Sequence, residues 1–265
     1  MGRRPTAMPT PFPGPRPRNH LVRAQANRLL VVFALLVFLP TIVVAERIHR
    51  GSGRRVARWA VSVGATLCGI RVVVHGNSLP DRADGAVVVP NHSSPMDIPV
   101  LLLADPDIRF MAAEDLFCIP LLASAMRALD TVPIDRRDPA HAHRQLDMLV
   151  AHHRNAPVHD LVVFPEGGIA PAGRHLPYKS GAFSLAIRTG SAIAPVAIAG
   201  TDQVLRPRGR LAIRPGVVTV EFLDVIETEG LTLDDRHVLR DHVQELVRDA
   251  LTNPAPEGGM TPPYA

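Results

Sequence analysis

From Arg71 to Leu251, short apolar runs rich in valine and isoleucine alternate with longer segments of helix-compatible spacing. Val72–Val74, Ala86–Val89, Ile108–Ala112, Thr131–Ile134, Leu161–Phe164, Ile193–Ile198 and Val217–Phe222 read as strands. Ile98–Leu103, Phe117–Ala128, Pro139–Arg154, Gly181–Arg188 and Leu233–Leu251 read as helices. Pro139 falls in a first turn, where its missing N–H costs nothing. Strands separated by helices predict an α/β domain: a mixed, mainly parallel sheet flanked by helices. At 46% hydrophobic, the 265-residue chain can bury a sizeable core, which excludes general disorder. One domain over 71–251 accounts for the pattern, and residues 252–265 form a Pro/Gly tail.

The N-terminal quarter has a different composition. Residues 1–20 are rich in Pro and Arg and hold no acid, which predicts a disordered basic arm. Leu29 to Ala45 is an uninterrupted uncharged run. As a helix it would reach roughly 25 Å, short of a hydrocarbon core of about 30 Å, with Pro40 kinking it. Arg23 and Arg28 precede it, and Arg47, Arg50, Arg54, Arg55 and Arg58 follow. With both flanks basic, both ends are expected on the cytosolic side. Val56–Ile70, with Trp59 near its start, suits a helix at the bilayer interface. Residues 21–70 therefore read as an N-terminal membrane-associated helical hairpin, with the folded domain facing the cytoplasm. A single span and a signal peptide cleaved after Ala45 are the competing readings.

Net charge is +4, carried almost wholly by arginine, since Lys179 is the only lysine. The excess suits phosphates or anionic lipid. Nucleic acid is not expected as a partner: only 4% of residues are aromatic, leaving little for base stacking, and no recognition helix or zinc knuckle is present. The two cysteines, Cys68 and Cys118, form no CxxC pair, which favours a reducing compartment. His141, His143, His152, His153 and His159 cluster without HExxH or Cys/His ligand spacing, so they read as solvated surface and no metal is expected.

The chemistry-bearing segment is Asn91-His92-Ser93-Ser94-Pro95-Met96-Asp97, directly after the apolar run Ala86–Val89. Residues five apart on a helix differ by about 140° and would not face one another. The motif therefore needs a non-helical turn, which Ser93-Ser94-Pro95 supplies, with Asp97 in or beside the first helical turn. A carboxylate beside imidazole holds one tautomer and stabilises the imidazolium formed when the other nitrogen takes a proton. No GxSxG elbow accompanies the pair, so an external hydroxyl is the better target than a side-chain nucleophile. A thioester donor fits, because a leaving thiol of pKa about 8.5 needs little protonation. Two further segments follow: Thr131-Val132-Pro133-Ile134-Asp135-Arg136 and Phe164-Pro165-Glu166-Gly167. A guanidinium such as Arg136 can grip a phosphate bidentately. Gly173–Ser180 has P-loop spacing, but Tyr178 stands where glycine is needed and Pro177 removes an amide donor, which argues against a nucleotide hydrolase.

In this order the three segments resemble the glycerolipid acyltransferase family, over roughly Val72 to Leu223. The resemblance implies that His92 and Asp97 are catalytic and that Arg136 is the phosphate-binding arginine. It adds Asn91, Glu166, Gly167 and Lys179 as substrate-binding positions, Lys179 through the Tyr178-Lys179-Ser180-Gly181 element. Ala194–Ile198 is similar to the family's fourth motif, near an acyl pocket. The implied reaction moves a fatty acyl group from acyl-CoA or acyl carrier protein to the hydroxyl of 1-acyl-sn-glycerol-3-phosphate in membrane lipid, with no cofactor. One departure matters. The third motif is generally continued by Thr-Arg, an arginine associated with the acceptor phosphate. Here Gly168-Ile169-Ala170 follows, and Arg174 or Lys179 is left as the stand-in. Another lysophospholipid, an amino-acid lipid or a glycolipid is the rival acceptor. A non-catalytic membrane-binding protein on the same scaffold is the rival class.

Overall fold

The computed structural model describes residues 37–76, 85–105, 107–135, 137–153, 160–171, 174–206 and 213–254. The basic arm, the first part of the apolar run (29–36), Arg136 and the tail from 255 lie outside the described residues.

Helical residues 37–48 (α1) and α2 (Ser52–Cys68) lead into β1 (Ile70–His75). The order then runs β2 (Ala86–Pro90), α3 (Asp97–Ala104), β3 (Arg109–Ala113), α4 (Pro120–Ala128), β4 (Val132–Ile134), α5 (Pro139–His153) and β5 (Leu161–Val162). It closes with α6 (Gly181–Thr189), β6 (Ala192–Ala199), α7 (Thr201–Val204), β7 (Gly216–Phe222) and α8 (Arg236–Thr252). The seven strands make one sheet in the order β1-β7-β6-β2-β5-β3-β4. All neighbours are parallel except β6 and β7, which run antiparallel, Val196 opposite Phe222. The sheet is thus mixed and mainly parallel, as the alternation predicts.

Successive side chains of a strand point to opposite faces, and β2 shows how both faces are used. Val88 packs on the side of α2 and α3 with Leu101, Val162 and Val196. Val87 and Val89 pack on the side of α5, α6 and α8 with Phe183, Ile193 and Val243. With helices on both faces every β2 residue is buried, and each such valine contributes about 1.5–3 kcal/mol over leaving it exposed.

Three local expectations are refined. The helix expected over Phe117–Ala128 is split into a 3-10 turn (Glu114–Cys118) and α4, because Pro120 occupies the first turn of α4 and has no N–H to continue a helix from before it. The strand expected over Leu161–Phe164 ends at Val162. α7 was not expected. Among the described residues no helix is long and apolar enough to cross a membrane.

Candidate active site

β2 is flanked by β5 and β6 in parallel, and ligands in such sheets gather beyond the carboxyl ends of the strands. The chain leaves β2 there at Asn91. The Asn91 amide donates to the Ile198 carbonyl at 2.9 Å and accepts from the Ile198 N–H at 2.7 Å. This fastens the start of the loop to β6.

His92 follows, buried, with Nδ1 at 2.8 Å from Asp97 Oδ2. The same oxygen accepts from the backbone N–H of Ser93 at 2.8 Å and of Ser94 at 2.9 Å. Asp97 therefore closes the turn that precedes α3 and points the imidazole at once. Because a carboxylate only accepts, Nδ1 carries the proton and Nε2 presents a lone pair. Phe164 stacks on the ring, centroids 4.0 Å apart and planes 25° from parallel. That placement explains the early end of β5: Phe164 leaves the ladder to cover His92. Neither serine is poised as a nucleophile. Ser94 Oγ donates to the Leu205 carbonyl at 2.7 Å, and Ser93 Oγ lies 3.0 Å from Thr201 Oγ1.

Glu166 ties the third motif to the first. Its Oε1 accepts from the His92 N–H at 2.9 Å, its Oε2 from the Leu176 N–H at 3.1 Å, and the His92 carbonyl accepts from the Ala170 N–H at 2.9 Å. Burial pushes the Glu166 carboxyl above the ordinary glutamate range, against the pull of those two N–H groups. Gly167 takes φ +71°, and the side chain of Lys179 lies along it. The structure thus brings His92, Asp97, Asn91, Glu166, Gly167 and Lys179 to one end of the sheet. Missed by sequence reasoning were Thr201, Leu205 and the grip of Asn91 on Ile198, since each contact joins residues more than a hundred positions apart.

Next to Arg136, Asp135 accepts from the N–H groups of Arg137 and Asp138, which hold its carboxyl below the usual range, the Arg137 N–H most of all. Arg137 pairs with Asp115. Among the described residues, Glu114, Asp135 and His141 bring ligand atoms within 4.8 Å of one another and could hold a cation. Glu114 is exposed and already accepts from Gln145.

The Acyltransferase family matches residues 71–199. The chain is 31% identical over 171 residues to a 1-acyl-sn-glycerol-3-phosphate acyltransferase of Limnanthes alba, covering 63% of this chain and 59% of that one. It is 28% identical over 215 residues to the mouse 1-acyl-sn-glycerol-3-phosphate acyltransferase alpha, covering 81% and 74%. The crystal structure of the 1-acyl-sn-glycerophosphate acyltransferase PlsC from Thermotoga maritima superposes with a TM-score of 0.72 at 28% identity, covering 88% of this chain and 97% of that chain. Residues 71–199 form an Acyltransferase-family segment, similar to 1-acyl-sn-glycerol-3-phosphate acyltransferases. The chain spans 64%, 59% and 58% of the length of three curated relatives, from Caenorhabditis elegans, Limnanthes alba and Limnanthes douglasii. Within the acyltransferase match lie the histidine turn, the Glu166 brace and Lys179, while α8 falls beyond it.

Proposed function

We propose that the protein is an O-acyltransferase that moves a fatty acyl group from acyl-CoA or acyl carrier protein to the free hydroxyl of 1-acyl-sn-glycerol-3-phosphate, giving phosphatidic acid for phospholipid biosynthesis. The observation that carries this reading is the His92–Asp97 pair, held at 2.8 Å by a turn that leaves Nε2 as the base. Nε2 removes the hydroxyl proton as the oxygen attacks the acyl carbonyl. The C–O ester bond forms, the C–S bond breaks, and the imidazolium returns its proton to the departing thiolate. Asp97 stabilises the imidazolium meanwhile. Glu166 braces His92 through the backbone, and Arg136 is the residue assigned to grip the phosphate. The two co-substrates suffice; no cofactor is called on. α1 and α2 serve as an anchor on the cytoplasmic face of the membrane, with α2 at the interface. The replacement of the usual arginine by Ile169 favours a second reading that changes only the acceptor, to another lysophospholipid, an amino-acid lipid or a glycolipid.

The test is acceptor-dependent thiol release by the detergent-purified protein, supplied with acyl-CoA and a panel of acceptors. His92→Ala should lose about a hundredfold or more, the usual contribution of a general base. Equal thiol release with no acceptor present would make the protein a thioesterase instead.

A further inference from the structure

We infer that the basic bend joining α1 to α2 binds the phosphates of anionic phospholipids, with Arg47, Arg50 and Arg55 as the contacting cations, so that the charge of a bilayer surface decides how tightly the protein docks. Five arginines fall between positions 47 and 58, and no acid stands in that stretch. Their surroundings sort them into two groups. Arg54 is committed to the fold: its guanidinium donates to the carbonyls of Asp107, Ile108 and Leu129 at 3.3, 3.4 and 3.2 Å and meets Asp130 Oδ2 at 3.3 Å. Arg58 lies within charge range of the buried Asp105. Arg47, Arg50 and Arg55 are exposed, and their guanidiniums have no hydrogen-bond or ion-pair partner among the described residues. Most acids in reach are engaged. Glu46 accepts from the N–H groups of Gly51 and Gly53, Asp105 accepts from the Asp107 N–H, and Asp130 pairs with Arg54 and Arg109. The exposed Asp107 keeps its own carboxylate open.

Arg54, Arg55 and Arg58 open onto a cleft of about 970 Å³ along α2, shared with Trp59, Ser62 and Asp107. Residues three and four apart lie on one side of a helix, so Arg55 stands beside Arg58 and Trp59. Trp59 is exposed, and Ile48, also exposed, sits between Arg47 and Arg50 in sequence. An indole next to a guanidinium suits a bilayer interface, where the ring lies at headgroup level and the arginine stem follows apolar surface while its head reaches phosphate. A soluble acidic partner would leave Ile48 and Trp59 unmatched, whereas headgroups lying over acyl chains accommodate both kinds of side chain. Each basic residue held at an anionic leaflet adds about fivefold to partition. The cleft stands apart from the catalytic site. Asp107 and Ile108 lead into the amino end of β3, which runs parallel to β5 and so to β2, while His92 follows the carboxyl end of β2. β1 runs with β7, and β7 against β6 and β2, so α2 delivers the chain to the end of the sheet where His92 stands. Phosphates held at the arginine end, with the exposed Leu67 at the other, lay α2 along the surface and keep the site end against it.

The experiment measures binding of the full chain to vesicles of phosphatidylcholine alone and of phosphatidylcholine mixed equally with phosphatidylglycerol, across a series of salt concentrations. Wild type should partition onto the anionic vesicles about tenfold or more above the neutral ones, with the excess shrinking as salt rises. Changing Arg47, Arg50 and Arg55 together to glutamine should remove most of that excess and leave binding to phosphatidylcholine as in wild type. Changing the same three to lysine keeps the charge and should keep the excess, which separates loss of charge from loss of fold. A control that changes Arg144, Arg240 and Arg248 to glutamine takes the same charge from α5 and α8, on the other face of the sheet, and should bind as wild type does. Equal partition of wild type onto both vesicles would overturn the inference. So would an equal loss in the control, which would make net charge the cause, or an excess that survives in the glutamine variant. Glycerol 3-phosphate at matched ionic strength should not displace the protein from anionic vesicles; displacement would assign the bend to a soluble phosphate and overturn the lipid site. None of these readouts involves turnover, so they stand apart from the acyl-transfer assay.

Discussion

Glu166 shows how much of the site depends on a single side chain that ties two loops together. Its carboxylate spans from His92 to Leu176, and burial raises its pKa. A group whose folded pKa lies above its unfolded one contributes stability that is fully present below the unfolded pKa and is lost as pH rises through the folded value. Glutamine is neutral throughout and has no such dependence. The melting-temperature advantage of wild type over Glu166→Gln should therefore be largest near about pH 4 and shrink towards about pH 7. Thermal denaturation of both proteins across that range checks this. An advantage that grows with pH would mean that the two N–H donors outweigh burial. Activity should fall in Glu166→Gln at every pH, because a glutamine amide offers one acceptor where two N–H groups need one each.

At the scale of elements, the loops that carry the site are fixed by α7, a four-residue helix. Gly200 precedes it at φ +87°, where a Cβ would sit 2.4 Å from the Val217 carbonyl oxygen. Gly200→Ala must bear a left-handed backbone cost of about 1–2 kcal/mol and push β6 and β7 apart as well. A melting temperature lower by roughly 2–8 °C is expected from the backbone term alone. Activity should fall too, since Thr201 holds Ser93 beside the base. Calorimetry with steady-state kinetics tests both, and an unaltered Tm would contradict the close approach. The same elements show what the sequence made legible. Strands and long helices announced themselves by apolar runs and spacing, and His92 with Asp97 by a turn only five residues long. The antiparallel direction of β7 and the grips of Asn91 on Ile198 and of Ser94 on Leu205 did not. Periodicity carries no pairing direction, and partners 107 and 111 residues apart leave no local trace.

For the whole molecule the proposed transfer to a lipid hydroxyl requires the site to meet a bilayer, and α1 with α2 bears on it. The Glu46 carboxylate accepts from the N–H groups of Gly51 and Gly53 at 2.9 Å, capping the start of α2 and fixing the bend between the helices. Phe38 meets Trp59 edge to face at 5.7 Å. Inward, Ile42 and Ala57 join the core on the side of α3. Outward, Val44, Ile48, Trp59 and Leu67 are 52%, 80%, 61% and 65% exposed, too much apolar surface on one substructure for water alone. Among the described residues no helix is long and apolar enough to cross a bilayer, and the exposed apolar surface of α1 and α2 suits contact with a bilayer interface. Trp59 is the only tryptophan, which makes it a native reporter. Its emission should shift to the blue on adding phospholipid vesicles and be quenched by brominated acyl chains. Replacing Val44, Ile48 and Leu67 together with serine removes exposed groups only, so the fold should hold. Membrane recovery after flotation should then drop severalfold, while acyl transfer to a detergent-dispersed acceptor stays close to wild type. Retained flotation with an unshifted Trp59 emission would move the anchor to another part of the chain, and activity lost equally in detergent would make these helices part of the catalytic fold instead.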